Sequence, residues 1–118
     1  MSLGSNCDQK ESMSAAKEKL RSMFGDDITF SECVWTEPIG IESDKFLNCL
    51  AFTHTSHKLE YVSKAVKHIE RGCGNRKRAR TSNIVKMDID ILKYANQILH
   101  ESDWSSKYIT ELMKESTV

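Results

Sequence analysis

Asp88 and Asp90 lie in the run Val85-Lys86-Met87-Asp88-Ile89-Asp90-Ile91-Leu92. Apolar and polar residues alternate there, and Ile and Val are abundant, so the pattern predicts a strand. Alternation assigns Val85, Met87, Ile89 and Ile91 to one face and Lys86, Asp88 and Asp90 to the other. Two carboxylates two residues apart then project side by side, roughly 6–7 Å apart at their Cα atoms. Such a pair suits a hard divalent cation whose octahedron is completed by phosphate oxygens and water. A solvated polar strand face is the competing reading, because Asp-x-Asp is a common tripeptide. Against it, Asp disfavours strands, and two like charges on one face repel unless a cation or basic neighbour offsets them.

Two further groups bear on that chemistry. The loop Asn75-Arg76-Lys77-Arg78-Ala79-Arg80 brings Arg76, Lys77, Arg78 and Arg80 just ahead of the paired acids, flanked by Gly72 and Gly74. Such a run is often a solvated loop or a nucleic-acid patch. Next to a metal-binding pair it suits polyphosphate chemistry, where charge on the transferring group is neutralised from several sides. Asn48 falls mid-strand, where Asn is disfavoured. Its amide offers two donors and an acceptor that can read the edge of a heterocycle. With Phe46 it can share the face that carries Asp88 and Asp90.

These groups need a fold to hold them, and 118 residues allow one core but not two ordinary domains. Residues 1–118 are therefore expected to form a single domain. Apolar content of 39% with 29% charged residues fits a globular chain rather than a disordered one. Lys plus Arg equals Asp plus Glu, so no global field points to nucleic acid or an acidic membrane. Cys7, Cys33, Cys49 and Cys73 make no Cys-x-x-Cys pair, which argues against a zinc ribbon and for a reducing compartment. His54 and His57 have His-x-x-His spacing but no second ligand pair, and read as coincidence. No stretch is apolar enough to span a bilayer and no signal peptide is recognisable, so a cytoplasmic location is expected.

The element order follows from periodicity. Residues 8–24 read as a helix, with Asp8 and Glu11 as a capping-box-like start and Gly25 as its end. Residues 28–36 read as a strand, interrupted after it by Pro38. A third strand spans about 45–54, with Phe46, Asn48, Leu50 and Phe52 on one face. A second helix covers about 57–71 on the stripe Leu59, Val62, Val66 and Ile69, stopped by Gly72. After the Asp-x-Asp strand, residues 103–115 make a last amphipathic helix with Trp104, Tyr108, Ile109, Leu112 and Met113 as its apolar set. A first strand ending at Gly4-Ser5-Asn6 needs residues ahead of Gly4. Part of it is expected to be missing, with Met1, Ser2 and even Leu3 readable as appended residues. The order (β)αββαβα predicts an α/β (α+β) domain. It has a ferredoxin-like antiparallel sheet, two helices on one face and the C-terminal helix on the other.

Taken in order, Leu3-Gly4-Ser5-Asn6, Thr36-Glu37-Pro38-Ile39-Gly40, Phe46-Leu47-Asn48, Ile69-Glu70-Arg71-x-x-Gly74 and Met87-Asp88-Ile89-Asp90-Ile91-Leu92 resemble the 6-hydroxymethyl-7,8-dihydropterin pyrophosphokinase family. No single segment is specific; five in the family's order are. The resemblance implies transfer of a pyrophosphoryl group from ATP to the pterin hydroxymethyl, with release of AMP, in folate biosynthesis. It implies that Asp88 and Asp90 hold two magnesium ions bridging the triphosphate. Thr36, Glu37, Pro38, Ile39, Phe46 and Asn48 would line the pterin pocket, and Glu70 would lie on the nucleotide side.

This chain departs from the family in two stretches. Ser82-Asn83-Ile84-Val85-Lys86 stands where the family usually carries Trp-Gly-Pro-Arg-Thr, so an aromatic clamp and an arginine are absent. Leu99-His100-Glu101-Ser102-Asp103-Trp104 replaces the family's Pro-His-Pro segment and its downstream arginine. Compensation is expected from Arg78 and Arg80 as catalytic cations, with Arg76, Lys77 and Lys86 on the nucleotide. The expected partners are small molecules, not nucleic acid or membrane. The alternative is a divergent relative that binds a pterin or nucleotide without this transfer. An RNA-binding module is disfavoured, because the sheet lacks the aromatic pair such modules use.

Overall fold

The computed structural model describes residues 1–38, 42–73, 84–100, 103–104 and 106–116. Leu3, Cys49 and Ile89 stand side by side across three strands and are all buried, which fixes the register of the sheet centre. The strands are β1 (Ser2–Ser5), β4 (Phe46–Phe52) and β5 (Asp88–Asp90), with β1 in the middle and both pairings antiparallel. β2 (Thr29–Phe30) and β3 (Val34–Thr36) both pair antiparallel with β4, on its other side. Helices α1 (Gln9–Phe24), α2 (Leu59–Gly72) and α3 (Lys107–Ser116) complete the main elements.

The period-two rule sorts the two sheet faces. Leu3, Leu47, Cys49, Ala51, Met87 and Ile89 pack with Met13, Ala16 and Leu20 of α1 and Val62, Val66 and Ile69 of α2. Leu50 and Leu92 instead pack with Ile109 and Leu112 of α3, joined by Val34, Phe52, Trp104 and Tyr108. Each such fully buried aliphatic side chain contributes about 1.5–3 kcal/mol over exposure. The fold is thus the expected α+β arrangement with a ferredoxin-like antiparallel sheet. The third helix covers the face opposite the other two.

Several local expectations are corrected. The strand over 28–36 is not continuous. Phe30 opposes Ala51 and Val34 opposes Asn48, so three residues, Ser31 to Cys33, face only two on β4. That is a β-bulge. Ser31 stabilises it: its hydroxyl accepts the Leu50 N–H at 2.8 Å and its own N–H donates to the Leu50 carbonyl at 2.9 Å. The extra residue swaps faces, so Phe30 joins the core of α1 and α2 whereas Val34 joins that of α3. Asp8 makes no side-chain cap on α1; it lies at φ 47°, and its carboxylate is 3.5 Å from the Lys86 ammonium. Ser12 bonds the Cys7 carbonyl at 3.0 Å instead. Gly25, at φ 78°, ends α1 in a conformation that suits glycine.

Ser2 and Leu3 belong to the sheet. Ser2 stands between Leu50 and Asp90, and Leu3 is 1% exposed. The strand expected through Leu92 ends at Asp90, and a hairpin follows, β6 (Lys93–Tyr94) with β7 (Gln97–Ile98). Its turn carries Ala95 at φ 52°. The Leu99 N–H donates to the Leu92 carbonyl at 2.8 Å and closes the hairpin. No helix among the described residues is long and apolar enough to cross a membrane.

Candidate active site

Val34, Asn48, Gly4 and Asp88 stand in one row across β3, β4, β1 and β5. The neighbouring rows add Phe46 opposite Thr36 on one side, and Leu50, Ser2 and Asp90 on the other. All of these lie on the face that α3 covers only in part, at Leu50 and Leu92. An aromatic, an amide and two carboxylates therefore share one sheet face. Gly4 is the gap between them. A Cβ there would come within 3.1 Å of Asn48 Oδ1 and 3.6 Å of the Phe46 ring. Glycine leaves the space beside Asn48 Oδ1 and the Phe46 ring free of a side chain of its own.

The amide of Asn48 is fixed. It is 5% exposed, and Nδ2 donates to Thr36 Oγ1 at 2.8 Å and approaches the Val34 and Phe46 carbonyls at 3.3 Å. Two carbonyl acceptors on one side identify that atom as the nitrogen. Oδ1 then points to the gap above Gly4, where it can accept a hydrogen bond from a ligand N–H.

Asp88 and Asp90 are half-buried on edge strand β5. Burial first, and then the adjacent Asp88 charge, push the Asp90 carboxyl up to about 6, with His100 opposing the shift and Asp103 adding to it. Two hard oxygen donors in a partly desolvated, mutually repelling pair suit a magnesium ion, with the remaining ligands coming from phosphate and water. Among the described residues no group of three or more His, Cys, Asp or Glu is placed to hold a metal ion.

The other sequence candidates are dispersed. Thr36 supports Asn48, and Glu37 is an exposed partner of Lys45 at 3.3 Å. Pro38 follows β3, half-buried. Ile39, Arg76, Lys77, Arg78 and Arg80 lie outside the described residues. Lys86 pairs with Asp8 rather than with the acids of β5. Glu70 is 7% exposed on α2, on the opposite side of the sheet from Asp88 and Asp90, and its Oε1 accepts the Ile89 N–H at 2.7 Å. Among the described residues β5 pairs only with β1, so Glu70 satisfies an N–H on the outer edge of that strand.

Sequence reasoning missed three features. Gly4 was legible only as part of a motif. His100, Asp103 and Tyr108 gather near Asp90, which needed the hairpin to be known. Exposed Trp35 lines a cleft of about 610 Å³ at the end of β1, with Asn6, Asp8, Asp44 and Ile84. That cleft contains neither Asn48 nor the paired carboxylates. Asn6 anchors its rim, donating its N–H to the Val85 carbonyl at 2.9 Å and accepting the Val85 N–H on Oδ1 at 2.6 Å.

The family described as 7,8-dihydro-6-hydroxymethylpterin-pyrophosphokinase matches residues 1–117. The chain belongs to that family. A search of curated proteins found no match to it. Membership makes this a relative of transferases of folate biosynthesis that act on small molecules, with ATP as co-substrate and generally Mg²⁺.

Proposed function

We propose that the chain transfers the pyrophosphoryl group of ATP to 6-hydroxymethyl-7,8-dihydropterin, giving the pterin pyrophosphate and AMP. The observation that carries this reading is the row Asn48–Gly4–Asp88, which sets a buried amide and a carboxylate pair on one partly open sheet face. In this reading the pterin stacks on Phe46 and donates an N–H to Asn48 Oδ1, over the floor left by Gly4. Thr36, Glu37, Pro38 and Ile39 are the residues we assign to that pocket from the family resemblance. Asp88 and Asp90 would hold magnesium, which supplies charge neutralisation to the triphosphate. The pterin hydroxyl oxygen forms a bond to the β-phosphorus. The bond from that phosphorus to the oxygen bridging the α-phosphorus breaks, AMP departs, and the hydroxyl proton is released to solvent. The protein's share of the catalysis is positioning and electrostatics.

Arg76, Lys77, Arg78 and Arg80 are the cations we assign to the triphosphate, together with Lys86, in place of the family's loop arginine. Residues 1–118 act as one domain in the cytoplasm in this proposal. A second reading, ligand binding without transfer, is favoured by the stretch Ser82-Asn83-Ile84-Val85-Lys86, which has no aromatic or arginine where the family usually carries Trp-Gly-Pro-Arg-Thr.

AMP release from ATP and magnesium, measured with and without the hydroxymethyl pterin, separates the two. The first reading predicts AMP only when pterin is present, in equal amount to pterin pyrophosphate. Pterin binding without AMP would select the second. RNA binding with no binding of either pterin or nucleotide would contradict both.

A further inference from the structure

We infer that His100, backed by Asp103, is a positioning residue for Asp90, holding one carboxylate oxygen so that the other faces the cation and triphosphate. The inference rests on the reading of Asp88 and Asp90 proposed above. His100 Nε2 lies 3.9 Å from Asp90 Oδ1, and His100 Nδ1 lies 3.9 Å from Asp103 Oδ2. The imidazole thus stands between two carboxylates, at ion-pair reach of each. It is half exposed, so core packing does not explain its orientation.

The backbone is committed to this arrangement. His100 has φ 51°, a left-handed conformation uncommon for a residue with a side chain. Bonds on both sides hold it there. The Trp104 indole N–H is shared between the Leu92 carbonyl at 3.2 Å and the Leu99 carbonyl at 3.1 Å. The Asp103 N–H donates to the His100 carbonyl at 2.9 Å. Backbone strain held by its surroundings is a feature of functional sites. Exposed ion pairs add little stability, so stability is a weak reason for the triad. At 3.9 Å neither contact is a hydrogen bond in this structure. The inferred role is that the imidazole N–H closes onto Asp90 when the cation binds. Losing such a partner of a metal-binding carboxylate costs about 10–100-fold in metal affinity or activity.

The test is Mn²⁺ binding in the presence of α,β-methylene ATP, which cannot undergo the transfer, with a pterin titration and a thermal unfolding midpoint beside it. His100→Ala should weaken Mn²⁺ about tenfold or more while leaving pterin affinity and the midpoint near the parent's. His100→Gln keeps an N–H donor and should recover most of the affinity. Asp103→Asn should weaken Mn²⁺ alone but add nothing to His100→Ala, because both act through one contact. Parent affinity in His100→Ala, or an additive effect of Asp103→Asn, would overturn the inference. Asp90→Asn in the same titration separates the levels. If it loses Mn²⁺ and His100→Ala does not, only the positioning role fails. If Asp90→Asn also binds normally, the carboxylate reading fails with it.

Discussion

Asp88→Asn and Asp90→Asn are each expected to lower turnover by roughly 10²–10³ or more, the usual cost of removing a charged contact to a transition state. Mg·ATP affinity should fall in parallel, whereas pterin affinity in the absence of nucleotide should not. The fold should survive. Both side chains are half-buried on an edge strand, and the core side of that strand is made by Met87 and Ile89. Asparagine also removes the repulsion between neighbouring carboxylates that, with burial, holds Asp90 at about 6. The unfolding midpoint of either variant should therefore equal or exceed the parent's. A lowered midpoint with normal Mg·ATP binding would mean that the pair is structural.

Asn48→Ala is expected to weaken pterin binding by more than tenfold and nucleotide binding little. The loss has two parts. Oδ1 disappears from the gap above Gly4, which leaves a ligand N–H unpaired at about 1–3 kcal/mol. Nδ2 disappears from Thr36, which loses its 2.8 Å partner. The second part lowers stability as well, so pterin titration and thermal unfolding are read separately. Thr36→Val removes the support and keeps Oδ1, and it should cost less pterin affinity than Asn48→Ala. An unchanged pterin titration in Asn48→Ala would take this residue out of the pocket.

How far these elements were legible depended on whether their cause was local. The Asp-x-Asp strand and the amphipathic helices follow from periodicity, and Asn48 stood out because a mid-strand amide is unusual. The bulge at Ser31 to Cys33 was not legible. Alternation reads the same across it, and the slip exists only relative to β4. The hairpin after Asp90 hides because its turn uses Ala95 at positive φ, where a sequence reader looks for Gly. Glu70 stood out only through a motif; its contact with the Ile89 N–H was not legible because it depends on which strand ends the sheet. His100 carries no local signal at all. Its meaning comes from the hairpin and Trp104 carrying it to Asp90.

The central claim is that acceptor and triphosphate meet on one sheet face, at the row Asn48–Gly4–Asp88. Two strand spacings separate Asn48 from Asp88, roughly 10 Å. The most direct measurement is nuclear relaxation of the bound hydroxymethyl pterin protons by Mn²⁺ with α,β-methylene ATP. Strong relaxation, greatest at the hydroxymethyl protons and lost in Asp88→Asn, is the predicted result. A pterin that binds with normal affinity and shows no relaxation from bound Mn²⁺ would contradict it.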